Sequence, residues 1–164
     1  MDQSSSPRLL VFTANTAWNI AHFRAPLLRA FKAQGFQLLA IAPKDRSAKD
    51  LESFGCAFEA LPVPAHSRNP LADLVLFWNY LRPLRKYRPV ALVSFTVKSN
   101  IYGGLAARLL GIPQIGNISG LETAFIEGGW LGRMVMVLYR IGIGGVFQIF
   151  FQNPDDRDFF LLTG

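Results

Sequence analysis

The sequence predicts an α/β protein built on a Rossmann-like, doubly wound parallel sheet of about six strands. Three observations predict it. Short apolar runs rich in Val, Ile, Leu and Phe recur along the chain without alternating apolar and polar residues, as strands covered by helices on both faces do. Helical patterns separate these runs throughout. Glycine or proline stands at most of the joints, where caps and turns need them.

Taken in order, the predicted strands are Leu9–Thr13, Gln37–Ala42, Ala57–Leu61, Val90–Ser94, Pro113–Asn117 and Val146–Phe151. Helices are expected over Phe23–Gln34, Ser47–Phe54, Pro70–Lys86, Asn100–Leu110 and Leu131–Ile143, with a further one starting at Pro154. Gly35, Gly55 and Gly111 each follow a helical segment, the place of a left-handed cap. Asn69-Pro70 reads as an N-cap followed by a first-turn proline. The expected strand order is 3-2-1-4-5-6, with right-handed crossovers. That order sets the ends of strands one and four side by side and brings Asn15 and Trp18 towards Phe95, Thr96 and Lys98.

The 164 residues suit a single domain over residues 9–164, preceded by a polar, Ser-rich, flexible segment over residues 1–8. A hydrophobic content of 51% is too apolar for disorder. Lys and Arg number 17 against 11 Asp and Glu, and the resulting net charge of +6 favours an anionic partner. No basic run interleaved with stacking aromatics and no nucleic-acid-binding motif is present, so nucleic acid ranks behind anionic lipid and phosphorylated substrates. One cysteine, Cys56, excludes an internal disulfide and reads as a buried small side chain in a reducing compartment.

No secretory signal is evident, which points to the cytoplasm. The most membrane-like stretch, residues 131–151, is interrupted by Arg133, Arg140 and Gln148 and divided by Gly142, Gly144 and Gly145, so a helix followed by a buried strand is expected there. Arg82, Arg85, Lys86 and Arg88 give the Pro70 helix a basic end, with Leu74, Leu81 and Leu84 on its other face. With Arg133 and Arg140 they form a candidate surface for anionic lipid, although basic residues at a helix C-terminus are favourable in themselves. The chain ends a few residues into a helical pattern, as the first half of a longer protein would.

Four polar clusters follow the strands. Asn15-Thr16-Ala17-Trp18-Asn19 with Phe23-Arg24 follows the first, at the position where open α/β sheets bind ligands. It has neither Gly-x-Gly-x-x-Gly nor a Walker lysine loop, which disfavours dinucleotide oxidoreductases and P-loop NTPases. Trp18 alone would read as a packing residue covering the sheet end; with Asn15, Asn19 and Arg24 around it, a polar pocket wall is a reading of at least equal weight.

The second cluster is Ser94-Phe95-Thr96-Val97-Lys98-Ser99-Asn100-Ile101-Tyr102-Gly103-Gly104. Lys98 stands before a helix N-terminus that favours anions, Ser99 is expected to cap that helix, and the glycine pair permits close helix-to-sheet packing.

The third, Asn117-Ile118-Ser119-Gly120-Leu121-Glu122-Thr123-Ala124-Phe125, leads to Gly128-Gly129-Trp130, read as a mobile loop carrying an exposed aromatic. Glu122 is a candidate acid/base group or hydroxyl ligand; a lone loop glutamate is also commonly solvated. The fourth, Phe151-Gln152-Asn153-Pro154-Asp155-Asp156, reads as a strand end and N-cap. His22 and His66 lack partners at metal-ligand spacing, and no nucleophile elbow occurs, so neither a metal site nor a self-sufficient catalytic constellation is expected.

Together these four clusters resemble the N-terminal domain of family-4-like retaining glycosyltransferases of the GT-B fold, particularly bacterial enzymes that extend lipid-linked oligosaccharides for capsule, lipopolysaccharide or protein glycans. The resemblance covers residues 9–162. It implies the N-terminal half of a two-domain enzyme that transfers sugar from a nucleotide-diphosphate sugar to an acceptor hydroxyl, with retention and without a metal or other cofactor. The nucleotide sugar would be held mainly by a C-terminal domain, and a polyprenyl-diphosphate-linked or similar glycan acceptor by this one, at the cytosolic membrane face.

On that basis Asn15, Trp18, Asn19 and Arg24 would line the cleft. Thr96, Lys98, Asn100 and Tyr102 would meet acceptor or diphosphate, Gly120, Leu121 and Glu122 would border the sugar, and Asn153 completes the substrate-binding set. The family's paired glutamates are not in this chain, so residues 1–164 by themselves are expected to be inactive. A nucleotide-sugar epimerase half and a non-catalytic, membrane-recruiting or acceptor-binding subunit are the alternatives.

Overall fold

In the computed structural model, which describes residues 8–62, 70–118 and 130–163, six parallel strands form one sheet in the order β3-β2-β1-β4-β5-β6. They are β1 (Leu9–Thr13), β2 (Gln37–Ala42), β3 (Cys56–Ala60), β4 (Ala91–Ser94), β5 (Gln114–Ile118) and β6 (Gln148–Phe151). This is the predicted order, and the strand bounds agree within two residues. β1 pairs on one side with β2, Thr13 opposite Ile41, and on the other with β4, Thr13 opposite Ser94. The reversal of strand order therefore falls between β1 and β4, where a ligand crevice is expected.

The helices are α1 (Ala17–Phe23), α2 (Ala25–Ala33), α3 (Ala48–Ser53), α4 (Pro70–Tyr87), α5 (Gly104–Leu109), α6 (Trp130–Ile143) and α7 (Pro154–Thr163). Successive β1 side chains point to opposite faces. Val11 joins a core with Leu76, Tyr80 and Leu84 of α4, Ala106 of α5 and Tyr139 of α6. Leu10 and Phe12 join a second core with Ile20 of α1, Leu28 of α2 and Leu51 of α3. Both faces are thus covered, which explains the unbroken apolar runs of the central strands. Gly35, Gly55 and Gly111 hold φ of 84°, 66° and 67°, the left-handed caps expected of them.

Several elements depart from expectation. The helix predicted over residues 23–34 is α2, and an unpredicted helix, α1, precedes it, the two being broken at Arg24, whose φ and ψ are −116° and 5°. Thr16 accepts a hydrogen bond from the Asn19 amide at 3.0 Å and starts α1 early, while Pro26 has no amide with which to continue the α1 ladder. Trp18 and Asn19 consequently stand on a helix and not in a loop. Ser99 does not cap its helix: residues 97–98 are already helical, and Ser99–Gly103 forms a π-helical stretch leading into α5.

The last strand is an edge, with Phe150 exposed, so the expected burial of residues 146–151 holds only in part. Leu74 departs from Leu81 and Leu84, which are buried, by lying exposed on the wall of a groove. Trp130 begins α6 where a loop was expected, and Gly128-Gly129 lie outside the described residues.

Close contact between α5 and α6 depends on two glycines. A Cβ placed on Gly104 would come within 2.7 Å of the Gly142 carbonyl oxygen, and one on Gly142 within 2.7 Å of the Ile101 Cα. The helices meet backbone to backbone. Gly104 also lies against the Gln114 side chain on β5, so the expected close helix-to-sheet packing is present and extends to a second helix.

Candidate functional site

The end of β1 holds the first cluster open. Asp45, just beyond β2, accepts the Trp18 amide at 2.9 Å and the Ser47 amide at 2.8 Å through its two carboxylate oxygens. With Thr16 on the Asn19 amide, two of the first α1 amides have acceptors within the protein. Such amides are not free to cradle a phosphate. Trp18 is 47% exposed, stacked on His22 at a centroid distance of 4.8 Å and edge-on to Phe23 at 5.2 Å.

Beneath this aromatic surface are three buried polar atoms with no hydrogen-bond partner: Asn15 Oδ1, Asn19 Oδ1 and Arg24 Nε. The Arg24 guanidinium stacks over Phe95 at 4.4 Å, and Phe95 donates its amide to the Thr13 carbonyl. Burial lowers the pKa of Arg24. The ends of β1 and β4 lie side by side, but the residue of the first cluster that meets Phe95 is Arg24; Trp18 packs on His22 and Phe23, and Lys98 pairs with Asp73. An unsatisfied polar atom under cover carries a desolvation cost of about 1–3 kcal/mol, which a ligand or water group can offset.

The second cluster is closed except at Asn100 Oδ1. Thr13 Oγ1 and the Tyr80 hydroxyl lie 2.8 Å apart, Tyr80 and Ser99 Oγ 3.0 Å, and Ser99 and Thr96 Oγ1 3.0 Å. Gln114 Nε2 donates to Ser94 Oγ at 2.9 Å and to the Asn100 carbonyl at 3.0 Å. Asn100 Nδ2 donates to the Asn117 carbonyl at 3.0 Å and to the Tyr139 hydroxyl at 3.1 Å. Asn117 Oδ1 in turn accepts from Gln152 Nε2 at 3.1 Å. These contacts tie α4, the π-helical stretch Ser99–Gly103 and α6 to four neighbouring strands or their ends. Burial raises the Tyr139 hydroxyl to a pKa of about 12, and burial likewise raises that of Tyr80. Asn100 is fully buried, with its amide nitrogen engaged and Oδ1 unpartnered.

Lys98 and Tyr102 belong to a third arrangement. Lys98 Nζ lies 2.7 Å from Asp73 Oδ1, and burial first, then the neighbouring Asp73 carboxylate, raises the Tyr102 pKa. Asp73 and Tyr102 stand at the head of an open groove of about 960 Å³ between α4, α5 and α6. Its walls include Leu74, Phe77, Leu105, Leu109, Leu138 and Ile141. Sequence reasoning missed Asp73, Phe77 and this groove. Their signal is the helical spacing of Asp73 with Phe77 and of Tyr102 with Leu105 and Leu109, which puts each set on one helix face.

Asn153 caps α7: its Oδ1 accepts the Asp156 amide at 2.7 Å and its Nδ2 donates to Asp156 Oδ2 at 2.9 Å. Gly120, Leu121 and Glu122 lie outside the described residues. Cys56 is buried as expected, its thiol pushed up to about 12 chiefly by burial. Arg82, Arg85, Lys86 and Arg88 are exposed on or just beyond α4, and Arg140 is exposed on α6. Among the described residues no helix is long and apolar enough to cross a membrane.

Residues 20–164 match the profile of the glycosyl transferase 4-like domain. A curated relative is the N,N'-diacetylbacillosaminyl-diphospho-undecaprenol alpha-1,3-N-acetylgalactosaminyltransferase of Campylobacter jejuni, 26% identical over 90% of this chain and 41% of its own length. Among solved structures, MurG of Acinetobacter baumannii superposes with a TM-score of 0.64 at 16% identity, over 91% of this chain and 42% of its own. A UDP-N-acetylglucosamine 2-epimerase gives the same TM-score and identity over 94% of this chain and 45% of its own. The chain thus spans less than half the length of each of these relatives.

Proposed function

Since the chain belongs to the glycosyl transferase 4-like domain family and has the fold of a GT-B N-terminal domain, we propose that it forms the acceptor side of a glycosyltransferase. The complete enzyme moves a sugar from a nucleotide-diphosphate donor to a polyprenyl-diphosphate-linked glycan, with retention at the anomeric carbon. The family match over residues 20–164 carries this reading. The acceptor class is supported by the curated relative, whose name includes a diphospho-undecaprenol acceptor. The fold alone does not separate transferase from epimerase, since one structure of each kind superposes equally well.

Within this reading, Trp18 presents an indole face to an acceptor sugar ring, and Asn15, Asn19 and Arg24 supply the polar groups that fix its orientation. The donor lies mainly against a second domain. Residues 1–164 alone therefore lack transferase activity. The exposed arginines and lysine of α4 hold the enzyme at an anionic membrane surface by attraction to the lipid headgroups.

The test is an assay of the full-length enzyme against a panel of nucleotide sugars with a polyprenyl-diphosphate-linked acceptor, the product's anomeric configuration being read by NMR. Transfer from one donor with retention is expected, and Trp18→Ala should raise the acceptor KM about tenfold while leaving the donor KM within about twofold. Epimerisation without transfer, or activity only after a separate donor-binding chain is added, would replace this reading with one of its two alternatives.

A further inference from the structure

Three large apolar side chains on α4 are left in the open. Leu74, Val75 and Trp78 are 57%, 50% and 52% exposed, and Arg82, Arg85 and Lys86 follow them towards the C-terminus, exposed as well. At about 100° per residue all of these fall within an arc of about 120°, opposite the buried Leu76, Tyr80 and Leu84. One face of α4 thus packs the core, and the other carries an indole, two aliphatic side chains and three cations. No Asp or Glu occurs between Leu74 and Lys86. Among the described residues, neither Arg82 nor Arg85 is paired with a carboxylate. The exposed strip runs for about 18 Å, at 1.5 Å of rise per residue. Its apolar end lies on the crevice side of the sheet, because Asp73, one residue before it, holds Lys98 beyond the end of β4.

We propose that this strip lies flat in the headgroup layer of an anionic bilayer, with Leu74, Val75 and Trp78 inserted to the acyl boundary and Arg82, Arg85 and Lys86 on lipid phosphates. This deepens, and rests on, the membrane attachment proposed above, which needs the cations alone. Charge complementarity selects the partner, since an acid-free row of cations attracts a surface of anionic headgroups. The apolar end adds what charge does not supply. An indole is favoured at a membrane boundary, where its ring is covered and its N–H stays wet, and the stems of Arg and Lys run along apolar surface while their heads reach phosphate. As α4 runs back along the sheet between β3 and β4, a helix held flat in this way keeps the crevice beside its apolar end, near the membrane surface.

The full-length enzyme is sedimented with vesicles of phosphatidylcholine alone and of phosphatidylcholine mixed with phosphatidylglycerol. Wild type should bind the mixed vesicles and leave them as salt rises. The double variant Arg82→Glu, Arg85→Glu should weaken that binding about thirtyfold and Trp78→Glu about tenfold, both with wild-type unfolding curves. Acyl-brominated phosphatidylcholine in the mixed vesicles should quench tryptophan fluorescence of the wild type, and Trp78→Phe should remove that quenching.

Unchanged binding of Trp78→Glu, or quenching that persists in Trp78→Phe, overturns the insertion and leaves attachment to the cations. Binding that also survives the double arginine variant removes α4 from the membrane altogether. A wild type that ignores vesicles but forms a dimer by light scattering, dissolved by Trp78→Glu, overturns the proposal and assigns the strip to a second copy of the chain. None of these readouts needs sugar transfer, so they stand if the transferase reading fails. Transfer by an enzyme that binds no vesicle defeats the membrane reading and not the transferase one.

Discussion

The polar cluster at the end of β1 and the polar cluster beneath α5 read alike in the sequence, yet they differ in one physical respect. Around Thr13, Tyr80, Ser94, Ser99 and Gln114 hydroxyls and amides meet one another at 2.8–3.0 Å and tie strands to helices. At Asn15, Asn19 and Arg24 the chain buries polar atoms and gives them no partner. The first arrangement recovers its desolvation cost within the fold; the second leaves that cost standing. Polar residues at strand ends therefore divide into those that hold the sheet together and those left for something else to satisfy.

Substitutions can break this contrast. Gln114→Ala should have the largest effect on stability, because it removes two donated bonds, strands Ser94 Oγ and the Asn100 carbonyl, and leaves a void under Gly104. A loss of about 2–4 kcal/mol in chemical denaturation is expected, and a loss near zero would show that the closed network is not structural.

A smaller effect belongs to Tyr139. Its hydroxyl is raised from the usual 10 to about 12 by burial, so the folded state favours the neutral phenol. That contribution is fully present below pH 10 and is lost as the pH rises from 10 to about 12, by about 3 kcal/mol at most. The difference between wild-type and Tyr139→Phe unfolding curves should narrow over that window; a constant difference would mean that the phenol is not held neutral.

The smallest stability effect should come from Asn15→Ala. With no bond to its buried Oδ1, removal relieves a standing desolvation cost and should leave the unfolding free energy level or raise it by about 1 kcal/mol. A loss as large as that of Gln114→Ala would make the two clusters one kind of structure and end the comparison.

Much of the fold was legible because its signals are local. Leu9–Thr13 and Gln37–Ala42 are apolar runs whose burial on both sheet faces is written in their composition, and Gly35, Gly55 and Gly111 mark turns that a side chain would strain. The break at Arg24 was less visible, since the amphipathic pattern continues through it and only Pro26 marks the interruption. In the candidate site, Trp18, Arg24 and Phe95 were identifiable from their places after β1 and β4. Asp73 was not, because it lies a strand and two turns away from Lys98 in sequence and reaches it only when α4 packs beside α5.

The sequence by itself determined the α/β class, the strand order and the two strand ends that meet at the crevice, since these follow from periodicity, caps and the rules for parallel sheets. Tertiary structure decided what each polar residue does there. Ser99, expected as a cap, bonds to Tyr80 instead, Asn100 turns its amide towards Tyr139, and Lys98 pairs with Asp73. Those choices depend on the register of β1, β4 and β5 and on how closely α5 and α6 meet at Gly104 and Gly142. Hydrogen bonds are decided over tenths of an ångström, a scale fixed by packing between distant segments and not by the pattern within any one of them.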